Sequence, residues 1–298
     1  MNAGAGGDYE LVQVARGAWS VRSRRDEETF HPVIGPEAEA EALYVRQLDL
    51  PGRLAAAGGE FVVWDVGLGA AANVLTVLRA VGDLPARLRV ESFDHTLDPL
   101  RFARQHPDRL SYLAGFEGPV DQLLTGRAVS FRHGRCQVAW RVHEADFPGL
   151  VASPAARSLP APQAILFDAY SPARNPAMWT RPLFRDLWGC LDPALPCSLA
   201  TYSRSTLLRV TLLLAGFRVG RGEATGEKEE TTLAANTPDL IARPLTRAWL
   251  ARAGRSTSAE PLAGPVYRQA PLSPASREAL ERHPQFRSEP GGIPGEKD

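Results

Sequence analysis

Short apolar runs alternate with longer amphipathic segments through the central part of the chain. Five apolar runs predict buried strands, namely EFVVWDVG, LRVESFD, CQVAWRVHEAD, QAILFDAY and CSLATYS. Helical spacing of apolar positions predicts helices in AANVLTVLRAVG, LDPLRFARQHPD, AMWTRPLFRDLWGCL and RSTLLRVTLLLAG. FRVGRG and ETTLAAN predict two closing strands. Strands that alternate with helices predict an α/β fold, with a mostly parallel twisted sheet covered on both faces.

Changes in composition divide the chain into three predicted segments. Residues 1–59 form an N-terminal cap, residues 60–242 the main domain, and residues 243–298 a partly disordered C-terminal extension. In the cap, WSVRSRRDEETFHP predicts a hairpin and PEAEAEALYVRQL a helix. Beyond Arg243 the chain is rich in Pro, Ser, Arg and Glu. There, PLTRAWLARAGRS and SPASREALERH predict short helices, and a loosely held tail is expected from Thr257 onward.

Composition narrows the classes of function. The 298 residues carry 34 basic and 34 acidic side chains, so a polyanionic partner would need a local basic patch. The three cysteines form no CxxC pair and no histidines stand at ligand spacing, so no metal site is expected. No apolar run is long enough for a membrane span, and the N-terminus does not resemble a signal peptide. A cytoplasmic location is therefore predicted.

The first predicted strand ends in a glycine turn, DVGLGAAAN. Gly67 and Gly69 stand where strand becomes helix, so the backbone there can approach a ligand closely. Their spacing to Ala72 also fits the dinucleotide fingerprint GxGxxA, which keeps a Rossmann oxidoreductase open as an alternative. Asp65 argues against it, because an acid beside the turn repels a pyrophosphate but suits the ammonium group of S-adenosylmethionine, directly or through water. An ordinary strand-to-helix turn is the other alternative.

Acidic residues also end the next three strands. Asp94 stands about 27 residues after Gly67, where an acid accepts hydrogen bonds from ribose hydroxyls. Asp146 ends the third strand and could accept the adenine amino group, and Asp168 ends the fourth. Parallel strands bring their carboxyl ends to one edge of the sheet, where open α/β folds bind ligands. The sequence therefore predicts a cofactor site lined by acids.

Together these residues resemble the methyltransferase domain of the MnmC family of tRNA wobble-uridine modification enzymes and its stand-alone relatives. The resemblance covers roughly residues 25–240, and its specific part is the PxxNPxMW loop. The matching segments are FHPVIGPEAEAEALYV, DVGLGAAANVL, FDAYSPARNPAMWTRPLF, LATYS, LLLAGFRV and GEKEETTLAA. Two departures stand out: GLGAAAN replaces a turn closer to GFGTGLN, and Ala169 and Tyr170 replace glycine and phenylalanine.

The resemblance implies a class I, Rossmann-like methyltransferase that uses S-adenosylmethionine. The implied substrate is 5-aminomethyl-2-thiouridine at the tRNA wobble position, whose aminomethyl group is N-methylated. An FAD oxidase domain follows in two-domain members, so a separate FAD-dependent oxidase is the implied pathway partner. Glu41 matches an acid that the family keeps near the cofactor, and Asn73 keeps its place in the turn. Glu41 could equally lie on a solvated helix face.

The loop after the fourth strand would serve the chemistry. Methyl transfer requires a neutral amine held in line with the sulfur–methyl bond. Asp168 is predicted to accept an N–H bond and to take or relay the proton. Tyr170 is predicted to stack on the base or to close the adenine side, and Pro172 to stiffen the loop. Asp168 could instead cap the helix that begins near Met178 or brace the loop, and Trp179 is expected in the core.

A tRNA substrate also requires a basic rim, for which Arg181, Arg185, Arg204, Arg209, Arg218, Arg221 and Lys228 are the candidates. A methyltransferase of the same fold acting on a small amine or another modified base remains an alternative. A catalytically silent binding module is another.

Overall fold

An eight-stranded sheet forms the centre of the protein. The structure is a computed structural model and describes residues 7–224 and 229–287. In chain order the strands are β1 (Tyr9–Gln13), β2 (Trp19–Ser23), β3 (Glu28–Thr29), β4 (Glu60–Val66), β5 (Arg87–Asp94), β6 (Ala128–His133), β7 (Cys136–Glu144), β8 (Ala164–Phe167), β9 (Ser198–Thr201), β10 (Arg218–Arg221) and β11 (Thr232–Ala235). The large sheet has the order β10-β11-β9-β8-β4-β5-β7-β6, and β1, β2 and β3 form a separate small sheet.

The five central strands of the large sheet run parallel. β4 pairs in parallel with β5 and β8, β5 with β7, and β8 with β9. Antiparallel pairs close both sides, with β6 beside β7 and β10 and β11 beyond β9. All the predicted strands, including the two closing ones, are confirmed. The edge strand β6 was not predicted, because its exposed positions interrupt the apolar pattern.

Helices cover both faces of the sheet. They are α1 (Pro36–Ala40), a π-helix (Glu41–Arg46), α2 (Leu50–Ala56), α3 (Ala72–Val81), α4 (Asp98–Arg104), α5 (Glu117–Gly126), α6 (Phe147–Ala152), α7 (Arg181–Trp188), α8 (Thr206–Ala215), α9 (Arg247–Ala253) and α10 (Pro274–Glu281). Side chains of β4 alternate between two buried clusters, since successive strand residues point to opposite faces. Phe61 and Val63 join the cluster under α1 to α5, and Val62 and Trp64 join the one under α6 to α10.

The segment predicted as one helix from residue 177 to 191 is divided. A 3₁₀ turn covers Pro176–Trp179, and α7 begins only after Thr180. Thr180 has an extended backbone, and its hydroxyl accepts a hydrogen bond from the Leu183 N–H at 3.3 Å. Pro182 lacks an N–H and is tolerated in the first turn that follows. Trp179 is fully buried, as expected.

The prediction of a loosely held tail is wrong for residues 257–287. Leu262, Leu272, Leu280 and Phe286 are buried in the same cluster as α7 and α8. The Arg181 N–H also donates to the Leu262 carbonyl at 2.8 Å, which ties the tail to the start of α7. These few apolar residues are spaced too irregularly for the sequence to indicate burial. Residues 288–298 lie outside the described part, and the predicted segment boundaries stay predictions.

The N-terminal cap contributes to the main core. Its predicted hairpin is confirmed as the antiparallel pair of β2 and β3, and β1 adds a strand that was not predicted. Val21 and Tyr44 are buried in the same cluster as Leu75 of α3. Over residues 7–224 and 229–287, the helices are all too short or too polar to cross a bilayer. The cytoplasmic location stays a prediction.

Candidate functional site

A cavity of about 690 Å³ lies at the carboxyl ends of β4, β5, β7 and β8. Its walls come from the glycine turn after β4, the ends of the neighbouring strands, the loop after β8, and the N-terminal cap. Seven of the residues proposed from the sequence line it, and these are Gly67, Gly69, Asn73, Asp94, Asp146, Asp168 and Tyr170. The parallel register of the strands therefore brings the predicted acids together at one edge.

The glycine turn requires backbone conformations that side chains disfavour. Gly67 has φ +93°, and a Cβ there would come within 2.6 Å of the Asp168 carbonyl oxygen. Gly69 has φ +51° and packs against the ring of Phe30. Its N–H donates to Asp94 Oδ2 at 2.9 Å. The turn thus fixes Asp94 at the end of β5 and passes directly under the β8 loop.

Asp168 is held at the cavity by its Oδ2 atom. Asn73, in the first turn of α3, donates from Nδ2 to this oxygen at 2.8 Å. His31 Nε2 lies 3.6 Å from the same oxygen. Within the part of the chain that the structure describes, Asp168 Oδ1 makes no hydrogen bond, so it is available to a ligand. Thr180, and not Asp168, caps the helix after the loop, which removes the capping alternative.

The loop after β8 is fastened from both sides. Trp179 Nε1 donates to the Tyr170 carbonyl at 2.7 Å, and the Tyr202 hydroxyl donates to the Ala169 carbonyl at 3.0 Å. Glu28 of β3 accepts from the Ser171 N–H at 3.2 Å and from the Ser171 hydroxyl. The cap therefore holds the loop in place above the cavity.

The two loop residues proposed with Asp168 have different positions. The Tyr170 ring lies 5.7 Å from that of Phe30, centroid to centroid, so it can provide an apolar wall for a flat ligand. Burial raises the pKa of the Tyr170 hydroxyl, which stays neutral and is not a base at pH 7. Pro172 is not a lining residue of the cavity; it lies in the turn in which Arg174 and Asn175 donate to the Ser171 carbonyl. Its contribution is to the shape of that turn.

Asp65 is buried beneath the turn and does not line the cavity. Its Oδ2 accepts from the Ser92 hydroxyl at 2.8 Å, whereas Oδ1 has no partner among the described residues. Burial raises the pKa of Asp65 to about 7, and the Ser92 hydrogen bond only partly opposes this. Asp65 is therefore not placed to contact the methionine ammonium directly, which was one of the two predicted modes. A contact through a water molecule is compatible with this geometry.

The cap supplies a different acid from the one expected. Glu41 begins the π-helix, is half-buried and does not line the cavity. Glu39 does line it, and its Oε1 accepts from the backbone N–H groups of Val33 and Ile34 at 3.0 and 3.2 Å. Residues two apart on a helix point about 200° from each other, so only one of the two can face the site. The short segment carries three alternating glutamates, Glu37, Glu39 and Glu41, and the sequence gave no means of choosing between them.

Asp146 both caps a helix and borders the cavity. Its Oδ2 accepts from the Gly149 N–H at 2.9 Å, at the start of α6. The cap uses one carboxylate oxygen, which is compatible with a second bond from a ligand amino group.

His31, like Glu39, is a site residue that the sequence did not indicate. It lies between the small sheet and α1 with φ +49°, and its imidazole lines the cavity. Nothing periodic in the sequence marks it; the only signal is its place in the segment FHPVIGPEAEAEALYV. Its two ring nitrogens face Asp168 and Glu39.

The chemistry of the lining fits S-adenosylmethionine better than a dinucleotide. Among the described lining residues nine are carboxylates, namely Asp8, Asp26, Glu27, Glu28, Glu39, Asp94, Asp98, Asp146 and Asp168, and two are arginines, Arg25 and Arg174. Such a lining repels a pyrophosphate and attracts a sulfonium and an ammonium. The buried Asn73 Oδ1 beside the turn also lacks a partner among the described residues.

The predicted basic rim is only partly assembled. Arg181, Arg185 and Arg204 are exposed, but Arg209 is buried and paired with Glu230 at 2.8 Å. Arg221 of β10 lies opposite Thr232 of β11, and Thr232 lies opposite Thr201, the last residue of β9. Arg221 is therefore at the carboxyl edge of the parallel strands. Arg218 lies at the opposite edge by the same register. Lys228 lies outside the described residues.

Comparisons with known proteins agree with this geometry. Residues 150–237 match the sequence profile of a family described as S-adenosyl-L-methionine-dependent methyltransferase. The chain is 29% identical over 241 residues to the tRNA 5-methylaminomethyl-2-thiouridine biosynthesis bifunctional protein MnmC of Methylibium petroleiphilum, covering 78% of this chain and 35% of that one. The MnmC protein of Cupriavidus necator is 28% identical, with 77% and 36% covered. The chain thus spans about a third of the length of these relatives.

A solved structure shows the same fold. The MNMC2 protein of Aquifex aeolicus superposes with a TM-score of 0.63 at 19% identity, covering 91% of this chain and 82% of that one. The parallel sheet, the acid-lined cavity at its carboxyl edge and these relatives lead to one conclusion: the chain is an S-adenosylmethionine-dependent methyltransferase of the class I fold, related to the MnmC proteins.

Proposed function

We propose that the enzyme N-methylates the aminomethyl group of 5-aminomethyl-2-thiouridine at the wobble position of tRNA. The observation that carries the proposal is Asp168, held at the cavity with one carboxylate oxygen available and with the PxxNPxMW loop fastened above it. The names of the MnmC relatives, which refer to biosynthesis of this modified nucleoside, support it.

The residues divide the work between cofactor and acceptor. Asp94 and Asp146 would hold the ribose and the adenine, with Gly67 and Gly69 allowing close approach of the methionine end. When bound, S-adenosylmethionine supplies a methyl group on a sulfonium. Asp168 would accept an N–H of the acceptor amine, orient its lone pair and remove its proton. Tyr170 and Phe30 would form the wall against which the base lies.

A small cationic amine is the second candidate acceptor, and the acidic lining favours it. Asp26, Glu27 and Glu28 stand at the part of the cavity that the cap forms, where phosphates of a nucleic acid would be repelled. In the first proposal the same acids attract the ammonium form of the aminomethyl group, and the phosphates contact Arg181, Arg204 and Arg221 further out. An FAD-dependent oxidase that generates the primary amine stays a proposed pathway partner.

The dependence of tRNA binding on salt separates the two candidates. Phosphate contacts make the affinity fall steeply with salt, and each contact removed lowers the slope of log K against log[salt] by about one. We expect Arg204→Ala to lower the slope and the exposed Arg135→Ala, at the opposite edge of the sheet, to leave it unchanged. Binding that does not depend on salt, or transfer to free amines but not to tRNA, would replace the tRNA proposal with the small-amine one.

A further inference from the structure

His31 stands between two carboxylates that are each fixed by other groups. Its Nε2 lies 3.6 Å from Asp168 Oδ2, and its Nδ1 lies 3.6 Å from Glu39 Oε2. Asp168 is held by Asn73, and Glu39 by the backbone at Val33 and Ile34. The imidazole is 10% exposed, so water competes little for these contacts. Such an arrangement is suited to passing a proton between Asp168 and His31 Nε2, with Glu39 facing the other ring nitrogen.

Methylation of an amine at neutral pH releases a proton, which a group in the site must accept. The acceptor nitrogen forms a bond to the methyl carbon while the sulfur–carbon bond breaks, and its electron pair stays on sulfur. The amine arrives mostly as an ammonium, so one proton leaves the nitrogen. An exposed aspartate has a pKa near 3.9 and is a poor final acceptor for an ammonium proton, whereas an imidazole titrates near neutrality.

We propose, on the basis of the function proposed above, that His31 is a positioning residue that takes the reaction's proton from Asp168 while Glu39 holds its ring. Asp168 receives the proton from the amine and passes it to His31 Nε2. His31 Nδ1–H faces Glu39 throughout, which fixes the tautomer that leaves Nε2 as the acceptor. The imidazolium that forms then lies between two carboxylates.

The charges around His31 favour this role. The titratable groups that face it from the packed elements are Asp168 after β8, Glu39 of α1 and Asp65 of β4. Burial alone lowers the pKa of His31, but the attraction of the carboxylates of Asp168 and Glu39 outweighs it, so the pKa lies above its ordinary value. The neutral ring is the accepting form, so turnover should rise with pH as His31 loses its proton.

The first test measures the coupling without any methyl acceptor. The titration of His31 is followed by NMR of histidine-labelled protein and assigned by its disappearance in His31→Asn, a residue that tolerates positive φ. Asp168→Asn and Glu39→Gln should each lower the pKa of His31, whereas Glu37→Gln, on the exposed side of α1, should not. A His31 pKa that none of these variants moves overturns the proposal.

The second test measures the reaction. With tRNA that carries the unmethylated aminomethyl group, wild-type kcat/KM should fall at low pH with the pKa that NMR assigns to His31. In His31→Asn this fall at low pH should be absent, and turnover at neutral pH should be about 10- to 100-fold lower than in the wild type. This loss is smaller than the one expected for a residue in direct contact with the amine. His31→Gly should recover activity with added imidazole, and His106→Asn, outside the cavity, should behave as wild type.

The outcomes separate this proposal from the function on which it rests. Absence of wild-type methyl transfer to the tRNA contradicts the proposed function, while the NMR titration still decides whether His31 shares a proton with Asp168. A pH profile unchanged in His31→Asn, or no rescue by imidazole when cofactor affinity is intact, overturns the role of His31 alone.

Discussion

At the scale of single residues, the acids at the carboxyl edge of the sheet differ in the hydrogen bonds that they already make and in whether they line the cavity. Asp94 is engaged by the Gly69 N–H and Asp168 by Asn73, yet both line the cavity. Asp65 lies below them, buried, and titrates near neutrality. These differences give each acid a distinct expected response to substitution.

Replacing Asp168 by Asn should separate binding from chemistry. Asn keeps an oxygen for Asn73 but cannot take a proton, so turnover should fall by about 10²–10⁴. Affinity for S-adenosylhomocysteine, measured by calorimetry, should change little. Asp186→Asn, on α7 and outside the cavity, is the matched control. Near-normal turnover in Asp168→Asn at neutral pH would make the aspartate a loop brace only.

Replacing Asp94 by Ala should weaken cofactor binding. A hydrogen bond to a charged group contributes about 1.5–3 kcal/mol, and this is the expected loss in the binding of S-adenosylhomocysteine. The exposed Asp83→Ala serves as control, and thermal unfolding shows whether freeing the Gly69 N–H has disturbed the turn. Wild-type affinity in Asp94→Ala would remove it from the cofactor site.

Asp65 should make the free energy of unfolding depend on pH. Burial raises its folded pKa from 3.8 to about 7, so both states are protonated below about pH 3.8 and the stabilisation is complete there. Between these values only the unfolded state ionises, and stability falls as the pH rises, by a few kcal/mol in total. Urea unfolding at pH 5 and pH 8 should show this loss in the wild type and a smaller one in Asp65→Asn. Equal pH dependence in both proteins would show that Asp65 ionises normally.

At the scale of elements, the site depends on the close approach of two loops. The glycine turn after β4 passes under the carbonyl of Asp168, and the cap fastens the loop above through Glu28 and Ser171. Neither loop could be displaced without moving the other. The glycine turn is therefore a structural requirement of the site as well as a surface for ligand.

Gly67→Ala should destabilise the protein. The Cβ would stand 2.6 Å from the Asp168 carbonyl oxygen at a φ that disfavours a side chain, so the backbone must shift. Strain of this kind costs about 1–3 kcal/mol, which urea unfolding would detect. Gly118→Ala, in α5 with open space at its Cβ, should be neutral or slightly stabilising. Equal stability of the two variants would contradict the close approach.

The sequence predicted the elements whose pattern is local. The central strands and the acids at their ends follow from apolar runs and from the rule that parallel strands share a carboxyl edge. The residues of the N-terminal cap that face the cavity could not be predicted in this way. Whether Glu39 or Glu41 faces the cavity depends on the rotation of one short helix. His31 lies 3.6 Å from Asp168 on a backbone of positive φ that no sequence pattern indicates. The buried tail depends on contacts distant in sequence, such as Leu262 against the start of α7.

At the scale of the whole molecule, a chain of zero net charge separates its charges in space. Among the charged residues that line the cavity, nine carboxylates outnumber two arginines, and exposed arginines such as Arg181, Arg204 and Arg221 lie around the same side of the sheet. This distribution suits an acceptor with a cationic reacting group on an anionic body. An aminomethyl uridine within tRNA has both properties.

Mass spectrometry of tRNA nucleosides tests the central claim most directly. The enzyme is incubated with S-adenosylmethionine carrying a deuterated methyl group and with tRNA whose wobble 5-aminomethyl-2-thiouridine is unmethylated. Digestion should yield 5-methylaminomethyl-2-thiouridine with the deuterated methyl group on its amine, and Asp168→Asn should yield little. Unlabelled wobble nucleosides, from an enzyme shown to bind S-adenosylhomocysteine, would contradict the claim.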